Sequence, residues 1–179
     1  MGAGASNVFQ YKKGRHFNGI VAYLTKCCQG NPAEKDLIEV TASSTSVRCL
    51  TKPEELLILR DDGEWTSNNE EESWIMFSFT KHQIELCNYT IQTFSGKTGT
   101  THLKTWKLEG SNDGFDWVTL DNVVDSDVLN GPDAVMTRPV AKAGFFTKFR
   151  IVQLGKNWFG TNCLTVKRVE FFGKVLDKQ

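Results

Sequence analysis

The sequence predicts an all-β fold of antiparallel strands, arranged as a sandwich or a barrel, with a short helix near the N-terminus. Short runs rich in β-branched and aromatic residues recur along most of the chain, and loops rich in Gly, Asn, Asp and Ser separate them. A parallel sheet would need crossover helices between its strands, and the pattern between these runs is not helical. The loops therefore join neighbouring antiparallel strands.

The helix is predicted over residues 16–26, where apolar residues repeat at helical spacing. Asn18 is a candidate cap for its start, and Gly30 with Pro32 would end it. The stretch Glu54–Leu59 follows a proline and fits either one helical turn or a short strand. The sequence leaves those two alternatives open. The predicted strands are, in chain order, 37–41, 74–79, 89–94, 103–109, 117–121, 145–154 and 164–172.

One hairpin is especially clear in the sequence. Apolar and charged residues alternate over 106–109, which is typical of a strand with one buried face. Asn112, Asp113 and Gly114 then supply residue types that tolerate the left-handed conformation of a tight turn. The strand resumes at Trp117. The Trp residues of these strands are therefore expected to pack in or around the core.

The composition and charge indicate which classes of protein this chain can belong to. The chain has 179 residues, enough for one domain with a real core, and its 21 basic residues balance 21 acidic ones. Nucleic-acid-binding domains are usually basic, so no nucleic-acid partner is predicted. The sequence contains neither a transmembrane segment nor the apolar core of a secretory signal. The five scattered cysteines are interpreted as reduced thiols, which favours a cytoplasmic location.

The first residues fit a lipidation motif. Gly2 and the small hydroxyl residue Ser6 match the pattern for N-myristoylation. Lys12, Lys13 and Arg15 follow shortly after and would supply the second, basic signal that stable membrane association requires. The alternative is a flexible Gly/Ala leader, natural or left by cloning. The motif thus predicts lipidation at Gly2 and a cytoplasmic protein attached to a membrane through an acyl chain.

Six segments of the chain form an ordered set: 40–44, 62–67, 74–79, 106–117, 149–151 and 169–173. This order resembles that of discoidin domains, also called coagulation factor 5/8 type C domains. The resemblance runs from about residue 37 to residue 173, and it rests on the ordered set together, not on any single motif. The flanking helix and the 155–160 loop look like an intracellular protist or BTB-protein-associated branch.

The resemblance implies a galactose-binding-like jelly roll that binds a ligand and is not an enzyme. The expected domains are a leader over 1–15, a single discoidin-like domain over 16–175 and a tail over 176–179. Such domains are lectin-like or bind phospholipid head groups, some of them in cell adhesion, through loops at one end of the sandwich. The alternative is an intracellular adaptor that binds a protein partner, as discoidin-like domains of ubiquitin-ligase assemblies do.

The loops that correspond to the family's binding loops contain aromatic, cationic and amide side chains. An aromatic face can stack on a sugar ring or enter a membrane interface, while cations and amides donate to hydroxyl or phosphate oxygens. Trp65 could instead pack beneath its loop, and Trp158 and Phe159 could fold back onto the sandwich. The predicted ligand-binding residues are Arg48, Trp65, Lys97, His102, Lys156, Asn157, Trp158 and Phe159.

Metal binding and catalysis have little support in the sequence. The acidic stretches 61–64 and 70–72, with Glu170, resemble the calcium site of some sugar-binding relatives, but calcium needs six to eight converging oxygens. We interpret these acidic stretches as solvated surface charge, with Ca²⁺ binding as a minor alternative. No cofactor is expected. The three histidines stand in no recognisable catalytic or metal motif.

Overall fold

Two antiparallel sheets face each other in a computed structural model that describes residues 7–58, 63–141 and 144–178. This arrangement confirms the predicted antiparallel β-sandwich with one short α-helix.

Sheet A comprises β1 (Asn7–Phe9), β5 (His82–Gln92), β8 (Val135–Pro139), β9 (Phe145–Phe146) and β12 (Arg168–Asp177). Sheet B comprises β2 (Ile38–Ala42), β4 (Trp74–Phe79), β6 (Trp106–Ser111), β7 (Val118–Val123) and β10 (Lys148–Gln153). A separate short pair joins β3 (Trp65–Thr66) to β11 (Thr165–Val166). The strand order in sheet A is β1-β12-β5-β8, with β9 also pairing with β5, and the order in sheet B is β2-β4-β10-β6-β7. The helices are α1 (Ile20–Cys28) and a 3₁₀ turn, Pro53–Leu57.

The core is an aromatic cluster between the two sheets. Phe77 and Phe79 of sheet B meet Phe171 of sheet A edge-on, with ring centroids 5.4 and 5.8 Å apart. Phe149 of sheet B joins the same cluster and, like the other three rings, is fully buried. Edge-to-face packing of this kind adds to the area that the rings bury and fixes how the sheets stack.

A hydrogen-bonded clamp also joins the sheets. Arg138 Nε of sheet A donates to Asp121 Oδ2 of sheet B over 2.6 Å, and the Tyr89 hydroxyl donates to the same oxygen over 2.8 Å. Trp106 Nε1 donates to the Tyr89 hydroxyl over 3.0 Å. Burial opposes the charged form of Asp121, but the hydrogen bonds from Arg138 and Tyr89 outweigh it and lower the pKa of that carboxyl. Burial raises the pKa of Tyr89, so its hydroxyl remains a donor.

The N-terminal end of helix α1 is capped by a carboxylate from the last strand of the fold. The buried Glu170 carboxylate of β12 accepts hydrogen bonds from the backbone N–H groups of Gly19, Val21 and Ala22 at 3.1, 2.7 and 3.1 Å. These are donors that the first turn of a helix leaves unpaired. The cap predicted at Asn18 was wrong: the N-cap is Gly19, which forms no side-chain cap bond.

Gly19 also has a steric reason to be glycine. An added Cβ would come within 2.3 Å of the Phe171 carbonyl oxygen. The helix ends at Cys28, two residues before the predicted Gly30, with the C-cap Gln29 in the left-handed conformation and the Gly30 amide donating to the Thr25 carbonyl. Both ends of α1 therefore differ from the sequence prediction.

Several predicted boundaries also differ. The predicted leader over 1–15 overlaps β1, which pairs with β12, so the fold begins before residue 16. The predicted tail over 176–179 overlaps the end of β12, which reaches Asp177. Of the stretch left open between helix and strand, residues 54–57 lie in the 3₁₀ turn, and Leu59 lies outside the described residues. Strands β1, β3 and β8 were not predicted.

Candidate functional site

Five loops lie together at one end of the sandwich, because the strands they join all end there. We call this the loop end and define it as residues 43–52, 63–73, 93–105, 124–134 and 154–164. Ser46 N donates to the Thr66 carbonyl over 2.9 Å, and Trp158 N donates to the His102 carbonyl over 3.1 Å. Gly99 N donates to Asn130 Oδ1 over 2.7 Å. Hydrogen bonds between different loops thus fix their relative positions.

Two of the predicted ligand-binding residues, Trp65 and His102, lie beneath the loops and are fully buried. Trp65 Nε1 donates to Thr45 Oγ1 over 3.0 Å. His102 Nε2 faces the carbonyl oxygens of Gly96 and Lys97 at 3.0 and 3.1 Å, so it carries the proton, and Nδ1 accepts from Thr93 Oγ1 over 2.6 Å. In this conformation neither side chain can reach a ligand, and both support their loops.

Asn157 has the same supporting role in the 154–164 loop. Its Oδ1 accepts from the amides of Phe159 and Thr161 at 3.1 and 3.0 Å, and its Nδ2 donates to the Cys163 carbonyl over 2.9 Å. A fourth bond joins Nδ2 to Thr161 Oγ1 over 2.8 Å. The side chain is only 3% exposed. Asn157 therefore shapes the loop from within, and its hydrogen-bonding capacity is already used.

Trp158 is half-buried and ties its loop to the next one. Its Nε1 donates to the Ser126 carbonyl over 3.2 Å, and Lys104 Nζ lies 4.7 Å from the centre of its ring. Lys104 also pairs with Asp125 at 2.9 Å. The neighbouring Phe159 points outward and is 66% exposed. Of the two predicted aromatic anchors, Phe159 is the one available to a partner.

The remaining predicted residues, Arg48, Lys97 and Lys156, are exposed at the loop end. Val47 and Leu50, on either side of Arg48, are each 96% exposed. Lys156 lines an open groove of about 320 Å³ between the 63–73 and 154–164 loops. The groove is lined by negatively charged, positively charged and amide side chains. Its lining residues are Glu71, Glu72, Leu154, Gly155, Lys156 and Asn162.

The acidic residues form no metal centre in the part of the chain that the structure describes. Within residues 7–58, 63–141 and 144–178, no group of three or more His, Cys, Asp or Glu side chains could hold a metal ion. Glu170, one of the candidate calcium ligands, is instead bonded to the start of α1. Asp61, Asp62 and Gly2 lie outside the described residues. All five cysteines are free thiols.

The described part of the chain contains no helix long and apolar enough to cross a membrane.

Solved carbohydrate-binding modules of family CBM32 share this architecture. A Clostridium perfringens module bound to GalNAc-β-1,3-galactose is 19% identical and superposes with a TM-score of 0.59, covering 76% of this chain and 95% of that one. A family 32 module of C. perfringens NanJ bound to galactose is 11% identical with a TM-score of 0.60, covering 79% and 96% of the two chains. This chain has their jelly-roll fold. At such low identity the likeness establishes the fold alone.

The curated proteins that resemble the chain in sequence include two E3 ubiquitin-protein ligases. The Drosophila melanogaster E3 ubiquitin-protein ligase Ufd4 is 30% identical over 169 residues, which cover 88% of this chain. The Caenorhabditis elegans E3 ubiquitin-protein ligase hecd-1 is 30% identical over 155 residues, which cover 82%. The chain spans about 6% of the length of each ligase. No family model matches the sequence.

Sequence reasoning missed several residues of the loop end. Glu71 and Glu72 were interpreted only as solvated charge or calcium ligands, yet they line the groove that holds Lys156. Asn162 lies in the 154–164 loop but is not among the predicted ligand-binding residues. Val47 and Leu50 are also absent from the predicted set, although apolar residues in a polar loop are a contrast that could have marked them as exposed.

Proposed function

We propose that this chain is a non-catalytic module that binds a carbohydrate at its loop end. The observation that carries the proposal is the polar groove beside Lys156, in the loop that also presents the exposed ring of Phe159. Carboxylates, an ammonium group and an amide can pair with sugar hydroxyls, and an aromatic face can cover the apolar side of the ring. The named ligands of two CBM32 modules with this fold contain galactose, which supports the same ligand class.

A glycan array followed by calorimetry tests this proposal. Galactose and GalNAc-β-1,3-galactose are the first probes, with a dissociation constant expected on the order of 0.1–1 mM, as befits a shallow and open site. Lys156→Ala and Phe159→Ala should each weaken binding about tenfold or more. Phe115→Ala serves as the control, since that ring is 89% exposed at the other end of the sandwich. Equal binding by all variants would exclude the loop end.

A phospholipid head group is the nearest alternative ligand, because its phosphate and hydroxyl groups would use the same donors. Arg48, Lys97 and Lys156 are exposed cations of the loop end that could meet phosphates. Flotation of non-acylated protein with phosphatidylserine vesicles tests the loops without any contribution from Gly2. Flotation that needs Lys156, with no response on the glycan array, would assign the ligand to lipid. The mass of the protein from its native cell tests acylation of Gly2 separately.

A second candidate function is that of a protein-binding adaptor within a ubiquitin-ligase assembly. It is favoured by the 30% identity to segments of two E3 ligases. Val47 and Leu50, each 96% exposed, would give such a partner an apolar contact. The finer assignment to the discoidin family, in its intracellular protist or BTB-protein-associated branch, and a single domain over residues 16–175 are part of the proposal for either candidate.

Affinity purification from native cells separates the two candidates. Wild-type protein should enrich ligase components, and a Val47→Asp/Leu50→Asp double variant should lose them while remaining folded, because both side chains are solvent-exposed. Phe115→Asp is a matched control at the other end. Enrichment that is unchanged by the double variant would contradict this use of the surface.

A further inference from the structure

Strand β2 forms an edge of sheet B. Among the residues that the structure describes it pairs only with β4, and the register places Thr41 opposite Met76. Ser43 N donates to the Trp74 carbonyl, and Thr80 N donates to the Leu37 carbonyl. In an antiparallel pair the hydrogen-bonding residues alternate, so the backbone N–H and C=O groups of the odd-numbered residues of β2 bond to β4. The backbone N–H and C=O groups of the even-numbered residues point outward from the edge of the sheet.

The outward backbone groups of β2 are partly free. Ile38 N donates to the Pro32 carbonyl over 3.4 Å. The amides and carbonyls of Val40 and Ala42 have no hydrogen-bond partner among residues 7–58, 63–141 and 144–178. Such a row of unpaired groups can pair with another extended chain.

An open groove of about 410 Å³ runs along this edge. Four carboxylate side chains line it, together with apolar and hydroxyl groups, and no cationic residue is among its lining residues. None of the four takes part in an ion pair within the described part of the chain. The lining residues are Ala33, Glu34, Asp36, Ile38, Glu39, Val40, Glu54 and Thr80.

We infer that the β2 edge binds a basic, extended peptide segment of a partner protein, which adds to sheet B as a further strand. Backbone hydrogen bonds to Val40 and Ala42 would hold the segment, and Lys or Arg side chains at alternate positions would face the carboxylates. The negative charge of the groove favours a basic segment over a second copy of this chain. A second copy of the chain would bring four more carboxylates to the same edge, and like charges oppose that pairing.

The surface is separate from the loop end, so the two ligands need not compete. Glu34, Asp36 and Thr80 lie at the opposite end of β2 from the loop that begins at residue 43. Since β2 has five residues, a bound segment of similar length would span about 17 Å. Its attraction to the groove is electrostatic and should fall as salt is raised.

Fluorescence anisotropy with a labelled peptide in which lysine alternates with valine tests the inference. The probe should bind the full chain and weaken with salt, while the same peptide with glutamate in place of lysine should not bind. A triple variant, Glu34→Gln, Glu39→Gln and Glu54→Gln, should weaken binding by roughly tenfold, since each partly exposed ion pair contributes little alone. Glu71→Gln/Glu72→Gln at the loop end is the matched control and should bind as wild type does.

Val40→Pro tests the backbone contribution independently of charge. It removes an amide that faces away from β4, a position at which edge strands tolerate proline. The variant should retain the circular dichroism of the wild type and lose the peptide, and amide shifts in wild-type NMR spectra should be largest at Val40 and Ala42. Equal binding of the lysine and glutamate peptides, or wild-type binding by the triple variant, would overturn the inference. The acidic edge would then only guard the strand against self-association.

Discussion

The turn at residues 112–117 and the loop end illustrate two ways of ordering irregular backbone. In the turn, Asp113 Oδ1 accepts from Ser111 Oγ and from the amides of Phe115 and Asp116 at 3.1, 2.8 and 2.9 Å. Every partner of Asp113 lies within three residues, although the neighbouring Asn112 bonds to the Phe145 carbonyl and to the Thr147 amide. In the loop end, bonds within single loops are joined by bonds between loops, as with Trp158 and Ser126. The bonds made by Asp113 should therefore be lost without effect elsewhere, whereas the linked loops should fail together.

The largest effect is expected from Asn157→Ala. The substitution removes four partly buried hydrogen bonds and leaves two backbone amides without their acceptor, so the free energy of unfolding should fall by about 3 kcal/mol. Urea denaturation measures the loss. Asn162→Ala, in the same loop but bonded through its backbone to Asn69, is the control. A loss below that of the control would show that the loop is held by other contacts.

A smaller loss is expected from Arg138→Ala in the clamp between the sheets. The charged bond to Asp121 is partly exposed on the arginine side, so we expect about 1.5 kcal/mol. The pKa of Asp121 is lowered in the folded protein, so the unfolded chain binds more protons. The stability from this carboxyl is therefore present above the unfolded pKa of about 3.8 and is lost as pH falls through the folded pKa.

Denaturation of wild type and variant between pH 2 and pH 7 checks this second prediction. The difference in unfolding free energy should be greatest near neutrality and should shrink in acid. A difference that is constant over the whole range would mean that Arg138 acts through packing alone.

A still smaller change in global stability is expected from Asp113→Ala. The backbone amides of Phe115 and Asp116 lower the pKa of the Asp113 carboxyl, so the turn should persist below the usual range of a carboxyl titration. The substitution should speed amide hydrogen exchange at Phe115 and Asp116 and leave exchange in the loop end unchanged. Faster exchange at both ends would contradict the separation between the two regions.

The smallest effects on folding are expected at the two exposed rings. Phe159→Ala and Phe115→Ala should each change the unfolding free energy by less than about 0.5 kcal/mol, because surface substitutions have little to lose. They should differ in ligand binding, which only Phe159→Ala is expected to weaken. If both substitutions weaken ligand binding equally, the ligand does not distinguish the loop end from the end of the sandwich that carries Phe115.

The contrast between the 112–117 turn and the loop end also explains which parts of the fold could be predicted from the sequence. The turn could be predicted because the partners of Asp113 are sequence neighbours, and short, mostly apolar runs such as Trp74–Phe79 were predicted with their observed bounds. Strand β8 was missed because it contains few apolar residues and ends in a proline, features that argue against a strand. Strand β1 has only three residues and depends on β12 for its hydrogen bonds.

Prediction of the candidate site was limited for a related reason. A loop residue with donors looks the same in sequence whether it faces solvent or the interior. His102 and Asn157 have the side chains of ligand-binding residues, but their partners are backbone groups that only the folded chain brings near. Arg48, Lys97, Lys156 and Phe159 are the exposed members of the predicted set, and their ligand contacts stay a prediction.

The pairing of β1 with β12 has a consequence for how such a unit can be accommodated in larger polypeptides. Asn7 lies opposite Val175, so the described chain begins and ends on neighbouring strands, with Cα atoms about 5 Å apart at that point. A unit whose two ends emerge side by side can be spliced into a surface loop of a host without forcing the host's flanking residues apart. The matching segments of the two ligases are small parts of long proteins, a setting in which that geometry is useful.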